Sequence, residues 1–203
     1  MDLRLYDLRE DDFDVIISLG NSVHGNNYVN HDELDQIYRK SCTQGLCCSK
    51  VMYDRPRDVG KLIGFRLTYA PGQWDYISDI QCSSEEWGES PEKVCYFKSI
   101  TIDSDYRGLG IGPYLLDVSI QTVKRQGGVA GVTHIWIKSP GTNPFKYFAK
   151  AGGELLWVWP DRWKQDPEGG GYQCRLCCKT GVLRPCGCLA AEMILHFGET
   201  RNE

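Results

Sequence analysis

Two groups of residues have the types and spacing for chemistry, and the first is the stretch R-G-L-G-I-G from Arg107 to Gly112. Its three glycines remove side chains from the backbone where the first amide groups of a following helix lack an acceptor within that helix. Bare N–H groups and the positive end of a helix dipole favour an anion, so the stretch predicts a phosphate-binding turn. The alternatives are a plain tight turn and a dinucleotide fold, although the G-x-G-x-x-G spacing of the latter is missing.

The second group is a set of cysteines near the end of the chain, C-x-x-C followed by C-x-C, at Cys174, Cys177, Cys186 and Cys188. Two close pairs of thiolates suit tetrahedral zinc, and four sulfur ligands leave no open position for catalysis. The pattern therefore predicts a structural zinc site, and free thiols are the alternative. The cysteines of the first half form no such pattern and are predicted to be small apolar core residues: Cys42, Cys47, Cys48, Cys82 and Cys95.

The elements on either side of the glycine turn must position it. Before the turn, residues 94–102 alternate between two largely apolar faces, which predicts a central strand. After it, Ile111, Leu115 and Val118 recur at helical spacing. Upstream, the patterns predict a strand, two helices and two strands, followed by a long loop at 70–93. Downstream, they predict strands at 132–138, 154–159 and 189–197, with a short helix at 143–150.

Composition limits the class of protein. The 203 residues are 41% hydrophobic, enough for one core, so a single α/β domain over 1–203 is expected, with a cysteine-rich insertion at 160–187. A net charge of -4 argues against nucleic acid as a partner. No signal segment and no run of roughly 18 apolar residues is seen, so a cytoplasmic protein that does not bind a membrane is expected. Its ten cysteines are then not expected to form a disulfide framework. The sequence is compatible with a homodimer.

With this order of elements around the turn, the chain resembles the GCN5-related N-acetyltransferase (GNAT) family. The family motif is Arg or Gln, two residues, Gly, one residue, and Gly or Ala, here Arg107-Gly108-Leu109-Gly110-Ile111-Gly112. The resemblance implies a mixed twisted sheet of about seven strands flanked by helices on both faces. It also implies that the turn holds the pyrophosphate of acetyl-coenzyme A (acetyl-CoA). The pantetheine arm is then expected to pair with the backbone of the preceding strand, at Ile100, Thr101 and Ile102.

Acetyl transfer from a thioester to an amine needs a base for the amine proton and an acid for the departing thiolate. The family's acid is a tyrosine in a pattern similar to L-Y-x-K-x-G, where this chain reads Y-F-A-K-A-G from Tyr147 to Gly152. Phe148 takes the tyrosine's position beside the cofactor, and Tyr147 becomes the candidate acid. Asn143 resembles the family's asparagine on the cofactor arm, and its alternative role is a helix cap.

The base is expected in the 70–93 loop, because the glutamate that some family members carry on the preceding strand is absent. Glu86 is the candidate, acting through water, and a solvated loop residue is the alternative reading of it. Three aromatic residues of the same loop either line an acceptor pocket or pack the loop onto the domain: Trp74, Tyr76 and Trp87.

The resemblance predicts an enzyme that moves an acetyl group from acetyl-CoA to a primary amine, with a small molecule as the acceptor. A protein or peptide amine is the alternative acceptor. A non-catalytic domain that binds acyl-CoA or a partner protein is the alternative from another class. That alternative is favoured by the absence of the family's tyrosine and glutamate from their usual positions.

Overall fold

The computed structural model describes residues 2–79, 81–137, 144–164, 170–175, 177–178 and 182–198. The strands are β1 Arg4–Asp7, β2 Cys42–Thr43, β3 Leu46–Cys47, β4 Lys50–Tyr53, β5 Leu62–Tyr69, β6 Val94–Ile102, β7 Ala130–Trp136, β8 Glu154–Trp159 and β9 Ala190–His196. The helices are α1 Phe13–His24, α2 His31–Ser41, α3 Ile111–Arg125 and α4 Pro144–Lys150. None of these helices is both long enough and apolar enough to cross a membrane.

Seven of the strands form one mixed sheet in the order β1-β4-β5-β6-β7-β9-β8. Neighbouring strands are antiparallel except β6 and β7, which run parallel. The last strand, β9, is inserted between β7 and β8, so the C-terminal part of the chain completes the same sheet. The predicted mixed α/β sheet of about seven strands is confirmed.

Helices cover both faces of the sheet because each presents one apolar stripe to it. Helices α1 and α2 bury Ile16 and Leu34 around Phe65 of β5. On the opposite face, α3 buries Leu115 against β4 and β5, and α4 buries Phe148. The sheet therefore separates an α1 side from an α3 side.

A short hairpin corrects one prediction from the sequence. Helix α2 ends at Ser41, and β2 and β3 pair as a hairpin whose turn holds Gln44 and Gly45 in the left-handed region. Its cross-strand pair, Cys42 and Cys47, is joined by a disulfide. The prediction of separate apolar cysteines is wrong for these two, because sequence spacing does not reveal a hairpin register. Cys48 and Cys95 are buried free thiols, as predicted.

Strands β6 and β7 separate part of the way along their length. Their pairing joins Val94 to Ala130 and ends at Tyr96 and Val132. On its other side β6 stays paired with β5 as far as Ile102, with a bulge that leaves Lys98 without an opposite residue. The described part of β6 beyond Tyr96 therefore has one edge paired and one edge open to a gap in the sheet.

Candidate active site

A cleft of about 1230 Å³ occupies the gap between β6 and β7. It reaches both faces of the sheet, because successive residues of β6 point to opposite sides. Ile100 lies near Gly112 of α3, whereas Thr101 bonds to His24 of α1. We call these two parts of the cleft the α3 half and the α1 half. The narrow end, where β6 and β7 come together at Tyr96 and Val132, is the apex.

The glycine turn forms the outer end of the α3 half. Gly108 and Gly110 both have φ of 79°, a left-handed conformation that costs glycine little. Gly110 is the N-cap of α3, and a Cβ added there would meet nothing within 4 Å. Open space therefore adjoins the amide groups of the helix N-terminus, the arrangement that suits a phosphate. Arg107 is exposed beside it and donates from Nε to the Ile102 carbonyl at 3.3 Å.

Most residues predicted to bind the cofactor line this cleft. They are Ile100, Thr101, Ile102, Arg107, Gly108, Gly110, Ile111, Gly112 and Phe148. Leu109 is 53% exposed and faces away from the cleft. Asn143 lies outside the described residues.

The open edge of β6 connects the turn to the apex. Backbone groups on this edge have no partner strand in the described part of β7 beyond Val132. The Thr133 side chain crosses the gap near its narrow end, where Oγ1 donates to the Phe97 carbonyl at 2.8 Å. An extended ligand can pair with such an edge as an added strand would.

Tyr147 and Phe148 occupy different environments, as expected for neighbours on a helix. Phe148 is 1% exposed and packs edge-on against Phe97 in the core. Tyr147 is half-buried at the cleft, and its hydroxyl donates to the Gly112 carbonyl at 2.9 Å. Burial raises the pKa of Tyr147, although the nearby Arg66 guanidinium acts in the opposite direction. Of the two residues, Tyr147 is therefore the one whose functional group reaches the cleft.

At the apex, Tyr96 of β6 and His134 of β7 are hydrogen-bonded across the point where the strands separate. The Tyr96 hydroxyl lies 3.1 Å from His134 Nδ1, and His134 Nε2 lies 2.9 Å from the Gln81 carbonyl. A carbonyl can only accept, so Nε2 carries the proton and Nδ1 accepts from Tyr96. Burial and the Arg162 charge lower the pKa of His134 to about 3, which keeps the ring neutral. In this pair, the neutral His134 ring accepts a hydrogen bond from the Tyr96 phenol.

Arg162 fixes the loop that supplies Gln81. Its guanidinium bonds to both carboxylate oxygens of Asp79, at 3.0 and 2.5 Å, and to the Gln81 carbonyl at 2.8 Å. The nearby guanidinium favours the ionised form of Tyr96, although burial still raises the pKa of that phenol. Arg162 therefore both positions the loop and places a positive charge beside the Tyr96–His134 pair.

The 70–93 loop is held down by its aromatic rings. Trp87 is 2% exposed and donates from Nε1 to buried Glu192 at 3.1 Å. Trp74 stacks on Tyr96, with ring centres 4.0 Å apart. Of the two predicted roles for these rings, the packing role is therefore the one observed. Glu86 is exposed in the short 3-10 turn Ser84–Glu86, away from the residues that line the cleft.

The α1 half of the cleft is walled by aromatic side chains. His24 Nε2 lies 2.8 Å from Thr101 Oγ1, and the His24 ring stacks on Tyr28, whose hydroxyl bonds to Ser99. Burial, with a smaller effect of Arg107, lowers the pKa of His24 to about 4. These contacts place a second neutral imidazole in the cleft, on the side opposite the glycine turn.

Residues 170–175 lie as a strap against the connection between α1 and α2. Their backbone groups bond to His24 and Asn26, with Arg175 N to His24 O and Gln173 N to Asn26 O both at 3.0 Å. A Cβ at Gly25 would lie 2.0 Å from the Gln173 carbonyl, so only glycine allows this approach. Tyr172 of the strap lines the cleft. The strap therefore closes one side of the α1 half.

The four predicted metal-binding cysteines come together beside this strap. The Sγ atoms of Cys174, Cys177, Cys186 and Cys188 lie within 4.8 Å of one another. Cys177 Sγ is 3.8 Å from that of Cys186 and 3.7 Å from that of Cys188. Tetrahedral zinc with Zn–S bonds of about 2.3 Å separates its sulfur ligands by about 3.8 Å. The geometry therefore fits a tetrathiolate zinc site.

Sequence inspection missed Tyr96, His134, Arg162, His24 and Arg66 as residues of the cleft. They lie on separate elements and meet only through the sheet. A weak signal existed for two of them, because the predicted alternation of 94–102 and 132–138 would place Tyr96 and His134 on one face.

The splayed parallel strands and the glycine turn define the class of protein: an acetyltransferase fold. The model of the Acetyltransferase (GNAT) family matches residues 4–153. The chain belongs to that family and is an acetyltransferase, as the resemblance predicted. No curated protein sequence matches the chain.

Several solved structures share the fold at low sequence identity. Ard1 from Thermoplasma volcanium is 10% identical with a TM-score of 0.64, and the match covers 98% of this chain and 100% of that one. The ribosomal-protein-S18-alanine N-acetyltransferase from Escherichia coli is also 10% identical, with a TM-score of 0.62, and the match covers 99% of this chain and 97% of that one. The structure of yncA, a putative acetyltransferase from Salmonella typhimurium with its cofactor acetyl-CoA, is 14% identical with a TM-score of 0.62. That match covers 100% of this chain and 98% of the other. At these identities the likeness shows the fold alone.

Proposed function

We propose that this enzyme transfers an acetyl group from acetyl-CoA to the primary amine of a small molecule. The observation that carries the proposal is the cleft itself. It joins a phosphate-binding turn on one face of the sheet to a neutral Tyr96–His134 pair at the apex, and it opens on the other face into the α1 half. Donor and acceptor can therefore meet at the apex from opposite faces.

The donor is assigned to the α3 half. Amide groups of the turn from Arg107 to Gly112 bind the pyrophosphate, and the exposed Arg107 adds a positive charge. The pantetheine arm then pairs with the open edge of β6. This places the thioester near the apex, where the bulge at Lys98 turns the backbone of β6.

Tyr96 and His134 are assigned the removal of the amine proton. As the amine nitrogen attacks the thioester carbonyl carbon, its proton passes to the Tyr96 oxygen while the Tyr96 proton passes to His134 Nδ1. The neutral ring of His134 offers Nδ1 as the proton acceptor. The positive charge of Arg162 favours the ionised form of Tyr96 but opposes protonation of His134. Breakage of the C–S bond then releases the acetylated amine and the CoA thiolate, for which Tyr147 is the proposed proton donor.

The enclosure of the α1 half favours a small acceptor. The 170–175 strap closes one side through its bonds to the α1–α2 connection. The Arg162–Asp79 pair closes another by tying the segment after β8 to the 70–93 loop. Glu33 and Asp75 are exposed and line the cleft, and a negative charge there attracts an ammonium group, although Lys98 of β6 also lines the cleft near Glu33.

Turnover across acceptor classes tests the proposal. Acetyl-CoA is incubated with monoamines, diamines, amino acids and peptides with free amino ends, and the acetylated products are identified by mass spectrometry. A thiol reagent is unsuitable as the readout, because the chain has free cysteines of its own. Acetylation of small amines is expected. Acetylation of peptides alone would assign the alternative acceptor, and binding of acetyl-CoA with no product from any amine would contradict the proposed activity.

We further propose that the cysteine cluster holds one structural zinc ion. Four cysteine sulfurs at tetrahedral spacing, with Cys174 and Cys186 each 1% exposed, support this assignment. The ion would supply a cross-link between the strap and the segment that leads into β9, a region with few other buried residues. Because all four ligands are sulfur, no role in the acetyl transfer is assigned to it.

A further inference from the structure

Arg66 of β5 is a buried cation with unused hydrogen-bond donors. It is 3% exposed, and its Nε and Nη1 atoms have no hydrogen-bond partner. Its guanidinium carbon lies 4.4 Å from the centre of the Phe97 ring. No ion pair among the described residues includes Arg66. A buried guanidinium with two unused donors and no ion-pair partner is costly to the fold unless an anion binds beside it.

The surroundings of Arg66 place it in the α3 half, close to the apex. It lies opposite Ile100 in the β5–β6 pairing and lines the cleft. The titratable groups that act on it are the Tyr147 phenol from α4, which also interacts with it as a hydrogen-bond partner, and the Cys95 thiol from β6. Burial raises the pKa of both groups. Neither neutral group balances its charge. Arg66 thus lines the part of the cleft assigned to the end of the pantetheine arm.

Acetyl transfer creates one anion at this place. When the amine nitrogen bonds to the carbonyl carbon and the C–S bond breaks, the electron pair of that bond stays on sulfur as a thiolate. We propose that Arg66 stabilises the departing CoA thiolate through its unused guanidinium donors. This inference rests on the proposed function. Tyr147 then protonates a thiolate that is already held, so the two residues have separate tasks.

The ionisation of bound CoA tests the proposal without any acceptor. Thiolate formation is followed by ultraviolet difference spectra between the complexes of CoA and desulfo-CoA over a pH range. In the wild type, the thiol pKa of bound CoA is expected to lie about one to two units below that of free CoA. Arg66→Met should remove most of this shift, and Arg66→Lys should keep part of it. Turnover of Arg66→Met should fall roughly 100-fold.

The controls separate this inference from the proposed function. Thr68→Val alters another buried residue of β5 that does not line the cleft, and it should leave the thiol shift unchanged. Arg66→Met should leave the affinity for desulfo-CoA unchanged, and a loss of that affinity would mean that Arg66 binds another part of the cofactor. An unshifted thiol in the wild-type complex overturns the inference even if the variants do not fold. Failure of the wild type to bind either CoA or desulfo-CoA would overturn the proposed function as well.

Discussion

The Tyr96 hydroxyl lies 3.1 Å from His134 Nδ1, and this bond spans the last paired position of β6 and β7. The two residues are 38 positions apart in the chain. The parallel pairing of residues 94–96 with residues 130–132 fixes the backbone on one side of this bond, and the cleft opens on the other side. A phenol hydrogen-bonded to a neutral imidazole is therefore held where donor and acceptor are proposed to meet, which meets the geometric requirement for proton transfer.

Loss of the Tyr96–His134 pair should slow turnover with little effect on the fold. Tyr96→Phe removes the hydroxyl, and His134→Gln keeps a donor to the Gln81 carbonyl but removes the basic nitrogen. Each change is expected to lower kcat by about 100-fold, and the double variant should lose little more, because the two groups act in one proton transfer. Steady-state kinetics at saturating acetyl-CoA measure the effect. Tyr69→Phe is the matched control, since its ring stacks on Tyr96 outside the cleft. A similar loss in that control would assign the effect to packing.

Gly110→Glu should weaken CoA binding strongly. Gly110 and Gly127 both have positive φ, and a Cβ at either would meet nothing within 4 Å. Both glutamate variants therefore carry the same backbone strain, about 1 kcal/mol. Only the first places a carboxylate at the proposed pyrophosphate site, where repulsion should weaken CoA binding roughly 100-fold or more. Calorimetric titration of both variants checks this. Equal affinities in the two would remove the glycine turn from the cofactor site.

The glycine turn and its flanking elements could be predicted from the sequence because their signals are local. A bare glycine turn, the strand before it and the helix after it lie within residues 94–125, and the structure places them as predicted. The residues at the apex depend on sheet geometry instead. Nothing local in the sequence indicates that Arg66 is left unpaired, or that Arg162 reaches Asp79 across 83 positions. These contacts depend on pairing between distant strands. Hydrophobic periodicity and secondary-structure propensity do not specify that pairing.

The role of the loop at 70–93 also depends on contacts between residues that are far apart in the sequence. Its composition predicts a loop, and its described residues form two short 3-10 turns, Ser84–Glu86 and Pro91–Lys93, between β5 and β6. Its role could not be predicted, because the partner that fixes Trp87 is Glu192, which is 105 positions away on β9. That buried carboxylate also accepts from the backbone of Ser83 and from Trp159 Nε1. The sequence therefore could not reveal that the glutamates of the loop stay outside the cleft while its tryptophans face the core.

Stability should fall as the pH is lowered through the histidine range. Burial lowers the pKa of His24 to about 4 and that of His134 to about 3, against 6.5 for each when exposed. Between these values the unfolded chain binds more protons than the folded one, so the free energy of unfolding decreases as pH falls. From about pH 7 to about pH 5 each histidine should contribute a loss of about 2 kcal/mol. Urea denaturation at several pH values measures this. His24→Asn should remove about half of the dependence, and an unchanged slope would contradict the assignment of a neutral buried ring.

Tyr147→Phe should slow the release of CoA. The substitution removes the proposed proton donor of the thiolate, together with the bond to the Gly112 carbonyl. Turnover is expected to fall at least about tenfold, with the larger loss at high pH, where solvent protonates the thiolate less readily. A pH–rate profile measures the effect. Tyr114→Phe is the control, because Tyr114 is an exposed tyrosine of α3 outside the cleft. Wild-type rates for Tyr147→Phe at all pH values would eliminate Tyr147 as the acid.

Removal of the metal should weaken acceptor binding more than donor binding. Purified protein is expected to contain about one zinc per chain by elemental analysis. Cys174→Ser should lose it, whereas Cys178→Ser should retain it, because Cys178 lies outside the cluster and its Sγ donates to the Arg184 carbonyl. The strap that carries Cys174 is bonded to the wall of the α1 half, while the glycine turn lies on the opposite face.

Loss of zinc should therefore lower Tm by several degrees and raise KM for the amine severalfold. The KM for acetyl-CoA should stay nearly constant, because the hydrogen bonds described for the strap go to His24 and Asn26 on the α1 side. Kinetics with both substrates, before and after chelation and after zinc is restored, distinguish these effects. Equal changes in the two KM values would indicate general unfolding rather than a role of the cluster in positioning the acceptor wall. Metal-free protein with wild-type stability would contradict the zinc site itself.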